Sequence, residues 1–253
     1  MKFNTYGNKD KPVAVLLHPM LGTGEMMAMI FSNLLETHYI VAPDFSAHGT
    51  AEDDTYISIH QETDTLYHFL EKEDLLDIDL LFGASLGAKC AFELLLHKDI
   101  KPCLVYLEGV CMFANGSYLE PAAHLEMKFI QSFSRRFKLK SDYIAARMYG
   151  EFGPELNDNF RTISFETIKR IVSDCLSNSY CELDSDMQKR IVFSFGKESN
   201  AVQIPRIQKA YPDSYVITNS SYKHCQYMFK YHKAYADKIL GRLNRAHVHD
   251  QEL

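Results

Sequence analysis

Apolar positions along this chain fall into two rhythms. Unbroken apolar runs, read as buried strands, occupy Pro12 to Leu17 (PVAVLL), Tyr39 to Ala42, Leu80 to Ala84, part of Cys103 to Val110, Ile191 to Phe195, and Ser214 to Ile217. Helical patterns stand between them. Lys89 to His97 (KCAFELLLH), for example, places Cys90, Leu94 and Leu95 with Ala91 and Phe92 as a helix packed on a sheet would. Strand and helix alternate to about Val110, give way to helical and loop-like sequence from Phe113 to Met187, and alternate again from Ile191. The order predicts an α/β fold: a mostly parallel twisted sheet with helices on both faces, a core of residues 1–112 and 188–253, and a helical cap insertion over residues 113–187.

Chemistry enters where the third of these runs ends. Leu80 to Ala88 carries an apolar strand into Gly83-Ala84-Ser85-Leu86-Gly87 and then a helix, a turn that exposes a serine hydroxyl. The serine backbone is forced into an unfavourable region, and a Cβ at Gly83 or Gly87 would collide with the neighbouring strand or helix. Ser85 is therefore the candidate nucleophile. The plainer reading, a tight βα connection with Ser85 as a helix N-cap, is weighed by what lies at the other strand ends.

The first strand delivers His18-Pro19-Met20-Leu21-Gly22-Thr23-Gly24, a small-residue loop able to aim a backbone N–H. A developing oxyanion would be held by the N–H of Leu86 and by one from this loop, Met20 or Leu21. Asp44 and His48, after the next strand, read as buried groups that hydrogen-bond neighbouring loops. His224 combines a strand-end loop, a following helix and a late position in the chain, which suits a general base toward Ser85. Within the insertion, Leu125, Phe129, Phe133 and Phe137, then Ile144 and Met148, then Ile168, Ile171, Val172 and Leu176 recur at helical spacing. They read as core, with some expected to face Ser85 as an apolar lid. His18 and Leu21, with Tyr143, Met148 and Tyr149 from the insertion, are candidates for substrate contact, and Gly150 and Gly153-Pro154 mark a break between insertion helices.

Three motifs make the chain resemble the α/β-hydrolase family. H-G-x-x-G appears as His18-Pro19-Met20-Leu21-Gly22, D-x-x-G-H-G as Asp44 to Gly49, and G-x-S-x-G as Gly83 to Gly87, with Pro19 and Ala47 at positions where the family has glycine. Near the end, Lys223-His224-Cys225 stands where the family has its G-H pair, without the glycine. The resemblance implies the order Ser, acid, His. The family's usual acid position, in a G-x-x-D turn, is occupied by Ser199, and serine cannot hold an imidazolium by charge. That leaves Glu198, one residue early, or Glu108, at the end of the strand after the nucleophile helix. Some haloalkane dehalogenases are similar in supplying a glutamate from that strand end, which favours Glu108 with Glu198 as the alternative acid.

Dehalogenation itself is opposed by Ser85 and by the absence of tryptophan. The first loop also resembles that of the menaquinone-pathway enzyme that eliminates pyruvate, so a lyase on the same scaffold is an alternative, although that enzyme's arginine and tryptophan positions have no convincing counterpart here. A non-catalytic ligand-binding member is the third reading, motivated by Pro19 and Ser199. The expected activity is hydrolysis of an ester, thioester or amide of a small-to-medium apolar acyl substrate through an acyl-enzyme, without cofactor or metal.

Composition narrows the partners. At 253 residues, 46% apolar and 24% charged, the chain can bury a large core, and a net charge of −6 leaves no basic footprint for nucleic acid. The run Ser134 to Lys140 (SRRFKLK) reads as a solvated helix end. Six scattered cysteines without metal spacing read as reduced thiols. With no signal-like segment and no apolar run of about 18 residues, the expectation is a cytoplasmic protein with a small-molecule substrate and no membrane partner, as a monomer or homodimer.

Overall fold

Seven strands share one sheet: β1 (Lys2–Tyr6), β2 (Val13–Leu17), β3 (Tyr39–Asp44), β4 (Asp77–Ala84), β5 (Lys101–Glu108), β6 (Ile191–Gly196) and β7 (Tyr215–Asn219). Their order across the sheet is β1-β3-β2-β4-β5-β6-β7 in this computed structural model, which describes residues 1–113, 116–197 and 203–251. Only β1 runs antiparallel; every other pairing is parallel. All five positions of β2 and all six of β6 are buried, as strands covered on both faces must be, which is why they read as unbroken apolar runs. β1 was not among the strands expected, because its sequence KFNTY is half exposed and lies at an edge.

Eleven α-helices accompany the strands among the described residues: α1 (Gly24–Ile30), α2 (Ile59–Lys72), α3 (Leu86–Leu94), α4 (Gly116–Arg136), α5 (Lys138–Tyr149), α6 (Gly153–Thr162), α7 (Phe165–Leu176), α8 (Ser185–Lys189), α9 (Gln203–Ala210), α10 (Gln226–Lys230) and α11 (His232–Gln251). Alternate strand residues feed two cores. Val15, Leu17 and Leu81 pack with Leu66 of α2 and Ala91 of α3, whereas Leu16, Leu80 and Phe82 pack with Met27 of α1 and Ile239 of α11. From β2 the chain winds outward to β3 and then returns across β2 to β4. The loops leaving β2 and β4 therefore diverge and open a crevice at the carboxyl ends of the strands.

Helices α4 to α8 lie between β5 and β6, where the insertion was expected. Ile168 and Ile171 are fully buried, but on α4 Leu125 is 70% exposed and Phe129 71%, and Phe137, just past its end, is 47% exposed. Helical period locates an apolar stripe without saying which side meets the rest of the protein. The side of α4 that does so carries Gln131 and Ser134, both buried.

Asp44 knits the loops at the end of β3. Its carboxylate accepts from the Gly24 N–H at 2.7 Å, the Thr50 N–H at 2.9 Å, the Thr50 hydroxyl at 2.7 Å and the Asn4 amide at 3.0 Å. Burial pushes its pKa up, and these four donors together outweigh burial and hold it below the ordinary 3.8. Asp44→Ala should cost about 2–4 kcal/mol in an equilibrium unfolding titration, because buried donors lose their acceptor. In the wild type this stabilisation is fully present above pH 3.8 and is lost as pH falls through the lowered value; unfolding titrations at pH 6 and pH 3 should show it, and an Asp44→Ala penalty equal at both would refute it.

Candidate active site

Ser85 stands between the last residue of β4 and the first of α3 with φ +52° and ψ −108°, a region that L-residues adopt only under constraint. The constraint is close packing. A Cβ on Gly83 would lie 2.3 Å from the Gly87 carbonyl oxygen, and one on Gly87 would lie 2.2 Å from the Leu17 carbonyl oxygen at the end of β2. Backbone bonds pin the turn on both sides: Ser85 N–H donates to Glu108 O at 2.8 Å, and Lys89 N–H donates to Ser85 O at 3.0 Å. The Ser85 hydroxyl makes no capping hydrogen bond to α3, which removes the N-cap reading.

The loop after β2 is a tight turn closed by Gly22 N–H to Pro19 O at 2.9 Å, with Leu21 at φ +74°. Asn159 of α6 clamps it by donating to the Leu21 carbonyl at 2.8 Å. Leu86 is the first residue of α3, so its N–H has no intrahelical acceptor. His18, expected at the substrate, is instead fully buried beneath the loop: it receives the Phe45 N–H on Nε2 at 3.0 Å, and its Nδ1 lies 2.8 Å from the Pro19 carbonyl, which makes Nδ1 the donor. Burial, with His48 adding to it, pushes its pKa down to about 3, so this ring is a neutral strut.

His224 follows β7 and packs its ring against the Cα of Gly109, where a Cβ would lie 2.5 Å from Cε1 and 2.6 Å from Nδ1. Burial holds its pKa below the ordinary 6.5. Ser85 and His224 open on one cavity of about 450 Å³, walled by Met20 and Leu21 from the first loop and by α4, α5 and α6. Among the described residues no charged side chain lines it, and no hydrogen bond joins Ser85 to His224; such bonds often tighten only around substrate.

Neither a family model nor a curated protein sequence matches this chain. Solved structures do. An alpha/beta hydrolase family protein from Desulfitobacterium hafniense superposes with a TM-score of 0.73 at 17% identity, over 96% of this chain and 100% of that one. An esterase from Exiguobacterium antarcticum gives 0.70 at 12% identity over 96% and 94%, and MenH from S. aureus gives 0.65 at 16% identity over 98% and 99%. The protein has the α/β-hydrolase fold. At these identities the likeness carries the architecture, and the chemistry has to be argued from this chain's own residues.

In this α/β-hydrolase fold the Glu108 carboxylate is not hydrogen-bonded to His224. The Tyr235 hydroxyl of α11 donates to its Oε2 at 3.0 Å, and the Ser194 side chain lies beside it. Burial pushes its pKa up to about 7, against these bonds and the Lys238 charge. Glu198 and Ser199 lie outside the described residues.

Of the three insertion residues expected near substrate, Met148 and Tyr149 line the cavity and Tyr143 does not; it is 67% exposed. The cavity side of α5 is Ser141, Ile144, Ala145 and Met148, spaced i, i+3, i+4, i+7, and Tyr143 sits about 100° away from Ile144 on the helix. Sequence reasoning also passed over Asn157. Its side chain joins α4, α5 and α6, accepting from the Ser134 hydroxyl at 2.8 Å and donating to Ser141 at 2.8 Å and Asp142 at 2.7 Å. A lone asparagine on an amphipathic helix gives no signal of this in sequence.

Three potential metal ligands, Asp79, Cys103 and His247, lie within 4.8 Å of one another at the opposite, amino end of the strands. Asp79 is already bridged there by His38 at 2.7 Å and His247 at 2.5 Å, which ties α11 to the sheet. Asn157→Leu should remove the hydrogen bonds to Ser134, Ser141 and Asp142, of which Ser134 and Asp142 keep Arg161 as a partner, and lower stability by about 1–3 kcal/mol. Thermal unfolding checks it, and an unchanged midpoint would mean the network is incidental.

Proposed function

We propose that the protein is a serine hydrolase that cleaves an ester, thioester or amide of a small-to-medium apolar acyl group. The observation that carries this reading is a serine on a strained turn and a histidine whose ring makes no hydrogen bond among the described residues, facing the same cavity. Ser85 Oγ attacks the acyl carbonyl carbon while His224 takes its proton. The oxyanion is received by the N–H of Leu86 and by that of Met20 or Leu21, backbone donors that need no reorganisation. Collapse of the tetrahedral intermediate expels the leaving group, which His224 protonates, and water then releases the acid by the same path in reverse. Helices α4 to α7 act as a cap over the acyl site.

For the acid, the surroundings of Glu108 favour its rival. Burial pushes this carboxyl up to about 7, toward the neutral form that cannot hold an imidazolium by charge, and its Oε2 already accepts from the Tyr235 hydroxyl at 3.0 Å. Glu198 is therefore the group proposed to orient His224. The elimination alternative finds less support, because a carboxylated substrate would meet no cation in the cavity lining.

A fluorophosphonate probe should label Ser85 stoichiometrically in the wild type and not at all in Ser85→Ala; folded wild type that stays unlabelled would sink the proposal. Glu198→Gln should reduce kcat/KM on a short-chain ester by about 10²–10⁴-fold, whereas Glu108→Gln should stay within about tenfold. The reverse ranking returns the acid to Glu108. The base must be neutral, so activity should fall as pH drops through the His224 value, with its midpoint below 6.5. A midpoint near 7 that Glu108→Gln removes would point to Glu108 instead.

A further inference from the structure

The outer side of the insertion is unusually apolar for a surface. On α4, Leu125 and Phe129 are 70% and 71% exposed, and just beyond it, at the start of α5, Leu139 is 88% exposed. These residues are continuous with the cavity. Leu125, Phe129 and Phe133 fall at i, i+4 and i+8, so each covers the next turn of the same face, and Phe133 lines the cavity while its ring packs on Phe137 at 5.2 Å. Ile130 and Ile144 belong to both surfaces: they line the cavity and are 38% and 42% exposed. The mouth of the cavity therefore opens within an exposed apolar rim, a feature that marks an interaction site.

Charge identifies the occupant. Between residues 125 and 147, the span that holds the exposed apolar residues, the chain carries Lys128, Arg135, Arg136, Lys138, Lys140 and Arg147 against Glu126 and Asp142, in a protein whose net charge is −6. Lys138 pairs with Asp158 at 3.8 Å, and Asp142 is taken by Arg161 at 2.7 Å. The other five basic residues have no ion pair among the described residues. Arg136 instead rests over the Phe137 ring at 5.6 Å. Arg135 donates to the Arg161 carbonyl at 2.9 Å and Lys128 stands over the Phe165 ring at 6.0 Å, so these charges too are left without an acid partner. Large apolar side chains interleaved with cations that no acid neutralises suit a surface that is apolar within and anionic outside. A second copy applied face to face would set the same cations against each other.

We propose that this face of α4 and α5 docks on an anionic lipid surface and presents the cavity mouth to acyl lipids lying in it. No helix among the described residues is long and apolar enough to cross a membrane, and the docking described is peripheral. Delivery of an acyl lipid to Ser85 rests on the hydrolase reading; the docking does not.

The test is co-sedimentation of the full chain with phosphatidylcholine vesicles, with and without phosphatidylglycerol. Binding to the anionic vesicles should be at least about tenfold tighter and should weaken with added salt. Each of Arg136→Glu and Lys140→Glu should weaken it by about fivefold or more, and Phe129→Ser or Leu139→Ser by about tenfold. All four side chains are exposed, so unfolding midpoints should match the wild type. Equal binding to both vesicle types, variants that bind as wild type, or a dimer in ultracentrifugation that Phe129→Ser dissolves would each overturn the proposal. Ser85→Ala should bind vesicles as wild type does, so docking without ester turnover would remove only the delivery step.

Discussion

The site depends on how closely the first turn of α3 approaches the end of β2. No side chain fits between them, and the missing Cβ atoms at Gly83 and Gly87 let the helix start directly against strand backbone. A helix that begins there forces the preceding residue to positive φ, at a cost of about 1–3 kcal/mol that only a firmly packed core can sustain. The core is firm at this point: Leu16, Leu17, Phe82 and Leu86 show no exposure. Backbone bonds extend the sheet past its last side chains, from Ser85 N–H to Glu108 O and from Gly109 N–H to Ser194 O, so that β4, β5 and β6 hold the turn as one unit. The same economy of space recurs at Gly109, whose bare Cα leaves room for the His224 ring.

Burial does opposite things to similar groups around these strand ends. His18 and His48 are both enclosed and pushed to about 3 and about 4, and the hydrogen bonds of His18 fix one tautomer, so neither can trade protons near neutral pH. Burial depresses His224 too, and among the described residues no hydrogen bond fixes its ring in one tautomer. The carboxylates divide in the same way. Asp44 has two N–H groups, an amide and a hydroxyl donating to it and is held charged, whereas Glu108, with two side-chain hydroxyl partners, is driven up to about 7. Burial pushes both carboxyls up; four donors outweigh it at Asp44, and the bonds at the more deeply enclosed Glu108 do not.

Much of this was legible in the sequence for a physical reason. Strands covered on both faces must be apolar at every position, so β2 and β6 announce themselves, and the tight turn at Ser85 admits only glycine at two fixed spacings. What was not legible depended on orientation. β1 is an edge strand whose mixed sequence fits a half-solvated position. Phe129 and Tyr143 have the right period for their helices, yet period is silent on which side faces the cavity. Glu108 was placed at the right strand end, and strand alternation puts it on the face of Tyr106, but the sequence could not show that α11 covers that face and brings Tyr235 to the carboxylate.

Helix α6 ties the helices between β5 and β6 to the loop after β2. Leu156, Asn157 and Phe160 of this helix form part of the cavity wall, while Asn159, on the adjoining turn, donates to the carbonyl of Leu21, a residue held at positive φ. The cavity wall and the loop after β2 are therefore held by the same helix. Pro19 adds a second restraint, since its ring fixes φ in the turn that the Gly22 N–H closes. At the position where the resemblance has glycine, this loop thus gives up conformational freedom and is held by restraint from proline and from α6 instead.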